Sequence, residues 1–230
     1  LPLDGALVNR MGFNNRGVEN ALRHLRRRKR GRIIGGNLGK NTLTPNEGAP
    51  ADYLKLFRSL YEYVDYFVIN VSCPNVANLT HLQDKDNLRE ILGGLTEFRR
   101  GQNQYRPILL KISPDLTEPQ IDDMIAVLSE CGIDGIVATN TTTSREGLAT
   151  PSETVARIGK GGLSGSPLTR RSLETVRYIH RKTEGRFPII GVGGIMTEDD
   201  AVAMGFIYNG PCFVRRICKR LKLEAEAKKE

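Results

Sequence analysis

Pro107-Ile108-Leu109-Leu110-Lys111-Ile112 is followed by Asp115-Leu116-Thr117-Glu118-Pro119 and then by Ile121, Met124, Ile125 and Leu128 at helical spacing. The first six residues form a nearly unbroken apolar run. A run of that kind predicts a parallel strand covered on both faces. The next five carry the acidic, Thr and Pro signals that open a helix. The stretch is therefore one complete strand-then-helix unit, and its strand closes on a lysine.

The unit recurs in both directions along the chain. Further apolar runs rich in Val and Ile lie at Arg32–Leu38, Tyr66–Val71, Gly135–Thr139 and Pro188–Val192. Tyr53, Leu54, Phe57 and Leu60 repeat the helical spacing between two of them. Alternating strands and helices predict an α/β fold. No low-complexity linker interrupts the 230 residues, so residues 1–230 read as one domain.

Polar residues follow all five runs: Asn37-Leu38-Gly39-Lys40, Asn70-Val71-Ser72-Cys73-Pro74-Asn75, Lys111, Thr139-Asn140-Thr141 and Gly191-Val192-Gly193-Gly194. In a (β/α) barrel the active site sits at the C-terminal ends of the strands. An open doubly wound sheet places ligands beside one switch point only. The expected fold is therefore a (β/α)8 TIM barrel. Eight strands are needed and five are legible. None is expected before Asn9, and none between the helical pattern Thr197–Met204 and Gly205-Phe206-Ile207-Tyr208. The barrel is thus expected to be incomplete at the N-terminus and around residues 204–205, with two unpaired sheet edges.

Composition narrows the function classes. The chain is 39% hydrophobic, and no apolar run reaches the roughly 18 residues of a membrane span. The opening Leu1-Pro2-Leu3-Asp4-Gly5 carries no secretory signal pattern. Cys73, Cys131, Cys212 and Cys218 show no CxxC spacing, as expected of reduced intracellular thiols. The net charge is +8, and Arg23, Arg26, Arg27, Arg28, Lys29, Arg30 and Arg32 supply all but one of it. Such a run suits nucleic acid or anionic lipid, or a solvated helix end. The second reading is expected, because no aromatic residue interleaves with the cations to stack bases.

Several groups could carry chemistry. Gly161-Gly162-Leu163-Ser164-Gly165 reads as a loop before a helix marked by Pro167 and Thr169, and Gly193-Gly194 precedes a helix capped by Thr197. Glycine lets backbone N–H groups approach a phosphate, and helix N-termini favour anions. Asn9, Asn70, Asn75 and Asn140 stand at turns or strand ends. Each alone would be a turn or cap residue, but together they offer donors and acceptors to a flat polar ring. Lys111 can neutralise a phosphate or a developing anion, form a Schiff base, or snorkel to solvent. Cys73 is the candidate reactive thiol, while Cys131, Cys212 and Cys218 read as small buried hydrophobes. A Cys–His hydrolase is a weaker reading, since His24, His81 and His180 show no pairing. No metal site is expected.

These residues resemble the dihydroorotate dehydrogenases. The matching motifs are Asn9-Arg10-Met11-Gly12-Phe13-Asn14-Asn15, Gly36-Asn37-Leu38-Gly39-Lys40-Asn41, Asn70–Asn75, Lys111-Ile112-Ser113-Pro114-Asp115-Leu116, Thr139-Asn140-Thr141-Thr142, Gly161–Gly165, Gly191–Gly194 and Gly205–Tyr208. Their spread looks most like the class 2, quinone-linked branch. The resemblance implies oxidation of dihydroorotate to orotate in pyrimidine biosynthesis, with FMN as cofactor and quinone as electron acceptor. It implies Cys73 as catalytic base, with Lys111 in the catalytic set. Asn9, Arg10, Met11, Gly12, Phe13, Asn70, Asn75, Asn140 and Thr141 would hold substrate. Asn37, Asn70, Lys111, Thr139 and Asn140 would surround the flavin ring, and Ser164, Gly165, Gly193 and Gly194 its ribityl phosphate.

The chain departs from class 2 in having Cys73 where that branch usually has Ser and Val76 where it usually has Thr, both as in class 1. The family's eighth strand is also missing between Met204 and Gly205. The resemblance further implies a peripheral protein on the cytoplasmic side of the cell membrane, reaching it through a segment outside these residues, with no nucleic-acid partner. Another FMN barrel acting on dihydropyrimidines or dihydrouridine is the enzymatic alternative. A basic nucleic-acid-binding protein is the alternative from a different class.

Overall fold

The computed structural model describes residues 1–28, 31–71 and 85–204. The strands are β1 (Ala6–Asn9), β2 (Gly35–Leu38), β3 (Tyr66–Asn70), β4 (Ile108–Ile112), β5 (Gly135–Ala138), β6 (Gly162–Gly165) and β7 (Ile189–Gly191). The α-helices are α1 (Val18–Leu25), α2 (Ala49–Leu60), α3 (Lys85–Arg100), α4 (Glu118–Cys131), α5 (Ser152–Ile158), α6 (Leu168–Lys182) and α7 (Glu198–Met204). All five apolar runs of the sequence are strands, and they form one parallel sheet in the order β2-β3-β4-β5-β7. Among these five, spatial order follows chain order with no reversal. Winding in one direction is how a barrel wall is built, whereas a doubly wound sheet reverses at its switch point. Among the described residues the sheet does not close on itself.

Two segments depart from the sequence expectation. A strand does precede the Asn9 turn: β1 ends at Asn9. The Gly161–Gly165 segment is not a loop, because Gly162–Gly165 is β6, antiparallel to β1 from Ala6↔Gly165 to Asn9↔Gly162. Both strands are four residues long: Gly162-Leu163-Ser164-Gly165 has one large apolar residue, and the apolar run Ala6-Leu7-Val8 is too short to mark a strand. The ribbon is joined to the exit of β5 by a further antiparallel bridge, Thr142↔Leu163.

Strand period decides what each face meets. Leu38, Phe67, Ile69, Ile108, Leu110, Ile112, Ile136 and Ala138 point to the helices and join the main core. There they meet Tyr53, Phe57 and Leu60 of α2, Leu88, Ile91, Leu92 and Leu95 of α3, and Ile121, Met124, Ile125 and Leu128 of α4. Phe57 and Phe67 anchor this layer with ring centroids 4.3 Å apart. Removing either ring would cost about 3–5 kcal/mol. The opposite face holds a smaller cluster of Val68, Leu109 and Val137, with Tyr66, Ile190 and Val192 against it.

Helix ends follow the sequence signals. Thr117 precedes α4 and its backbone N–H donates to Gln120 Oε1 at 2.9 Å. Thr197 precedes α7 in a reciprocal pair with Asp200, the two backbone N–H groups donating at 2.8 and 3.1 Å. Cys131 is buried at the end of α4, and burial pushes its thiol pKa up. The basic run is only partly a solvated helix end. Arg23, Arg26 and Arg27 are exposed at the end of α1, but Arg28 grips Asp65 with both nitrogens at 3.0 and 3.1 Å. Lys29 and Arg30 lie outside the described residues.

Candidate active site

Parallel pairing aligns the polar ends of the strands. Asn70 of β3 is the register partner of Lys111 of β4, and Lys111 is the partner of Val137 of β5. Paired residues share a face, so Asn70 and Lys111 stand on the side away from α2, α3 and α4. Asn37 pairs with Val68, two residues before Asn70, and so belongs to the same face. Asn37 is exposed, Lys111 half-buried and Asn70 buried. The result is a platform that is apolar at Val68, Leu109 and Val137 and becomes polar towards the strand C-termini.

Asn140 joins this group from the exit of β5. Its Nδ2 donates to Asn70 Oδ1 at 3.3 Å, and its backbone N–H donates to the Ile112 carbonyl at 2.8 Å. Thr141 follows, and its N–H donates to Asn140 Oδ1 at 2.9 Å. Tyr53 fixes the other side by donating from its hydroxyl to the Asn70 carbonyl at 2.9 Å. Thus Asn70, Lys111, Asn140 and Thr141 lie together at the ends of β3, β4 and β5. Thr139 differs, for its side chain turns to α6, where its hydroxyl lies 2.9 Å from Ser172 Oγ.

Helix α6 organises three strand exits at once. Arg171 donates to the carbonyls of Pro114 and Leu116 after β4. Ser172 meets Thr139 after β5. Thr169 donates to the Gly194 carbonyl after β7. Gly194 has φ +71°, and a Cβ there would lie 2.2 Å from the Thr169 nitrogen, so only glycine fits. A Cβ at Gly193 would lie 3.0 Å from Ser172 Oγ. Gly165 ends β6 three residues before α6 begins. The two glycine-bearing segments therefore do converge, at the first turn of α6, although one of them is a strand.

Asp115 holds the β5 exit from the β4 side. Its carboxylate accepts from the Thr142 hydroxyl, and from both the backbone N–H and the hydroxyl of Thr143 at 2.8 Å. Tyr53, Asp115, Thr169, Arg171 and Ser172 were not among the residues the sequence marked for the site. Asp115 was legible as part of a helix-start signal and of the Lys111–Leu116 motif, Tyr53 and Thr169 as helix residues, and Arg171 and Ser172 carried no signal of their own.

The Asn9–Phe13 segment sits on the ribbon. Asn9 donates to the Gly162 carbonyl at 3.4 Å and accepts from the Met11 N–H at 3.3 Å. Arg10 donates to the Ile158 carbonyl. Met11 is exposed, Gly12 has φ +64°, and Phe13 packs against the core. A Cβ on Gly39 would strike the Phe13 ring at 2.5 Å, which puts Phe13 at the exit of β2. Ser164 donates to the Leu7 carbonyl at 3.4 Å within the ribbon. Cys73 and Asn75 lie outside the described residues, as does Val76. Among the described residues no cluster of His, Cys, Asp and Glu could hold a metal, and no helix is long and apolar enough to cross a membrane.

Residues 1–224 match the family described as dihydroorotate dehydrogenase. A dihydroorotate dehydrogenase (quinone) of Christiangramia forsetii is 46% identical over 95% of this chain and 66% of its own length. One from Rhodococcus opacus is 44% identical over 96% of this chain and 64% of its own. The chain thus spans just under two thirds of these curated relatives. The crystal structure of a ligand-free dihydroorotate dehydrogenase from Eimeria tenella superposes with a TM-score of 0.84 at 31% identity, covering 95% of this chain and 69% of that one. A second structure of the Eimeria tenella protein, in complex with ferulenol, gives 0.82 at 30% identity, over 98% of this chain and 69% of that one.

Proposed function

The chain belongs to the dihydroorotate dehydrogenase family, and we propose that it oxidises dihydroorotate to orotate with FMN as cofactor and quinone as final electron acceptor. The observation that carries this reading is the row Asn70–Lys111 with Asn140 hydrogen-bonded across it. Carboxamides present a donor and an acceptor, and the lysine an ammonium, to one space above an apolar floor. That donor set fits a flat ring with alternating N–H and C=O edges and a negative charge.

The residues also fit FMN. Gly193 and Gly194 bring bare backbone directly against the first turn of α6, with a Cβ on Gly194 excluded by the Thr169 nitrogen at 2.2 Å. Backbone N–H groups at such a turn suit a phosphate. Ser164, Gly165, Gly193 and Gly194 would hold the phosphate arm. Asn37, Asn70, Lys111 and Asn140 would surround the ring, while the side chain of Thr139 is turned to Ser172. FMN, when bound, supplies the hydride acceptor.

The chain's own residues do the remaining work. The Asn9–Phe13 segment, Asn70, Asn75, Asn140 and Thr141 bind and orient the substrate ring and carboxylate. Lys111 stabilises negative charge that develops beside it. Cys73 takes the proton from C5 of the substrate. A thiol has an ordinary pKa near 8.5, far below that of a serine hydroxyl, so it forms the basic anion with less help. Reoxidation by quinone places the protein peripherally at the cytoplasmic side of the cell membrane.

The test is anaerobic. Purified protein incubated with FMN and freed of excess should be yellow, and dihydroorotate should bleach the flavin band. Adding quinone, fumarate or NAD in turn identifies the acceptor. Protein that retains no flavin, or flavin that dihydroorotate leaves oxidised, would overturn the reading.

A further inference from the structure

We propose that a cavity beside the ribbon captures small ring carboxylates of the dihydroorotate and orotate class before they reach the strand-end site. The cavity holds about 510 Å³ and is lined by Thr143, Arg145, Val155, Ala156, Lys160 and Gly161. That volume lies within the range of small-molecule sites. The inference rests on the function proposed above for the identity of the anion, and on the cavity alone for its charge.

Arg145 is held in place by backbone. Its Nη2 donates to the Gly161 carbonyl at 2.7 Å, and its Nη1 to the carbonyls of Thr143 and Ser144 at 3.2 and 3.1 Å. Carbonyls orient the guanidinium without cancelling its charge. Lys160 is exposed at the rim. Arg10 approaches from the ribbon, donating to the Ile158 carbonyl, with its Nη2 3.9 Å from a Cβ built on Gly159. Among the described residues no carboxylate lines the cavity, and none of these three cations is ion-paired. Val155 and Ala156 add an apolar surface against which a ring can lie. A concave site with cations of one sign and apolar walls concentrates small anions.

Its place in the fold connects it to the chemistry. Thr143 stands two residues after Thr141, and Gly161 is packed so tightly on Asn9 that a Cβ would lie 2.7 Å from the Asn9 carbonyl oxygen. The cavity's lining residues Gly161 and Thr143 therefore adjoin both segments to which substrate binding is assigned, Asn9–Phe13 and Asn140–Thr141.

The experiment is equilibrium dialysis of radiolabelled orotate against the full chain, with and without FMN, at low salt and at 0.5 M salt. Lys160→Glu should weaken orotate binding about fivefold at low salt, and the difference should vanish at high salt, where charges more than a few ångströms apart are screened. Arg23→Glu on α1 makes the same charge change far from the cavity and should bind as the parent does. Thermal melts should match in all three proteins, because both side chains are exposed. Equal affinities for the parent and Lys160→Glu, equal losses in both variants, or no orotate binding by the parent would each overturn the proposal. Flavin bleaching by dihydroorotate in the parent judges the activity separately. Bleaching without a Lys160 effect removes the capture site and keeps the enzyme, while a Lys160 effect without bleaching does the reverse.

Discussion

The guanidinium of Arg171 reaches from the first turn of α6 to the Leu116 carbonyl, donating from Nη2 at 2.7 Å while its Nε donates to Pro114 at 2.8 Å. Those carbonyls belong to the loop that carries Asp115, and Asp115 holds Thr142 and Thr143. One side chain on a helix thus fixes, through an acid, the loop that presents Asn140 and Thr141. Replacing Arg171 by Met should destabilise the protein by about 1–2 kcal/mol, the range for charge-assisted bonds that are partly exposed. Urea denaturation reads this directly. Hydrogen exchange should rise in residues 113–117 and 140–143, and Arg171→Lys should restore only part of the protection. Unchanged exchange in both segments would show that the loop stands without Arg171.

Asp115→Ala removes the acceptor for two hydroxyls and one backbone N–H. The Thr143 side of the loop then turns to water at small cost, because it is exposed. Orotate affinity should fall about tenfold, which corresponds to roughly one charge-assisted bond's worth of lost positioning. The melting temperature should move by only a few degrees. An affinity loss no larger than that of an exposed α1 substitution would separate Asp115 from the site.

The sequence displayed the five-stranded sheet because β3, β4, β5 and β7 are nearly continuous apolar runs, while β2, Gly35-Gly36-Asn37-Leu38, was marked only by Ile33 and Ile34 just before it. It concealed β1 and β6 for the opposite reason. Gly162-Leu163-Ser164-Gly165 carries one large apolar residue, and its strand character comes from pairing with Ala6–Asn9, which lies more than 150 residues away in the chain. The site divides along the same line. Asn70, Lys111 and Asn140 were visible because polar residues at the ends of apolar runs are conspicuous. Arg171, Ser172 and Asp115 were not, because each acts across the fold on a partner that only tertiary structure supplies. Thr139 was read correctly as a strand-end residue, but its turn towards Ser172 could not be inferred from spacing.

Gly194→Ala tests the close approach of β7's exit to α6. The residue has φ +71°, a region that L-residues occupy at a cost of about 1–3 kcal/mol. Its new Cβ would also overlap the Thr169 nitrogen at 2.2 Å, a clash with backbone that no rotamer relieves. The expected loss of stability is therefore at least about 3 kcal/mol. Flavin retention should fall in parallel, measured as bound flavin per chain after gel filtration. A variant as stable and as yellow as the parent would mean that α6 does not contact Gly194 in solution.

Asp65 gives the acid response of the fold a sign. Its hydrogen bonds from Arg28, then from the Ile34 N–H, hold the carboxyl below its ordinary range. A carboxyl lowered in the folded state contributes stability that is fully present above its unfolded pKa, near 3.9. That contribution is lost as pH falls through the lower folded value. The urea midpoint of the parent should therefore drop below about pH 4. Asp65→Asn should be less stable at pH 7 and lose less on acidification. Parallel pH profiles for the two proteins would assign the acid sensitivity to other carboxylates.

Cys73→Ser exchanges a thiol of ordinary pKa near 8.5 for a hydroxyl many units higher. The base must be an anion, or must give up its own proton as it takes the one from substrate, so the serine variant needs more hydroxide or more help from its surroundings. The rate of flavin reduction against pH should keep its shape but move its acidic limb upward, with a lower rate at pH 7. Cys131→Ser is the matched control. Cys131 is buried at the end of α4, and its desolvation pushes the thiol pKa up and makes it a poorer nucleophile. Cys131→Ser should cost stability without moving the limb. If the two serine variants share the parent's pH profile, the proton leaves by another group and Cys73 is not the base.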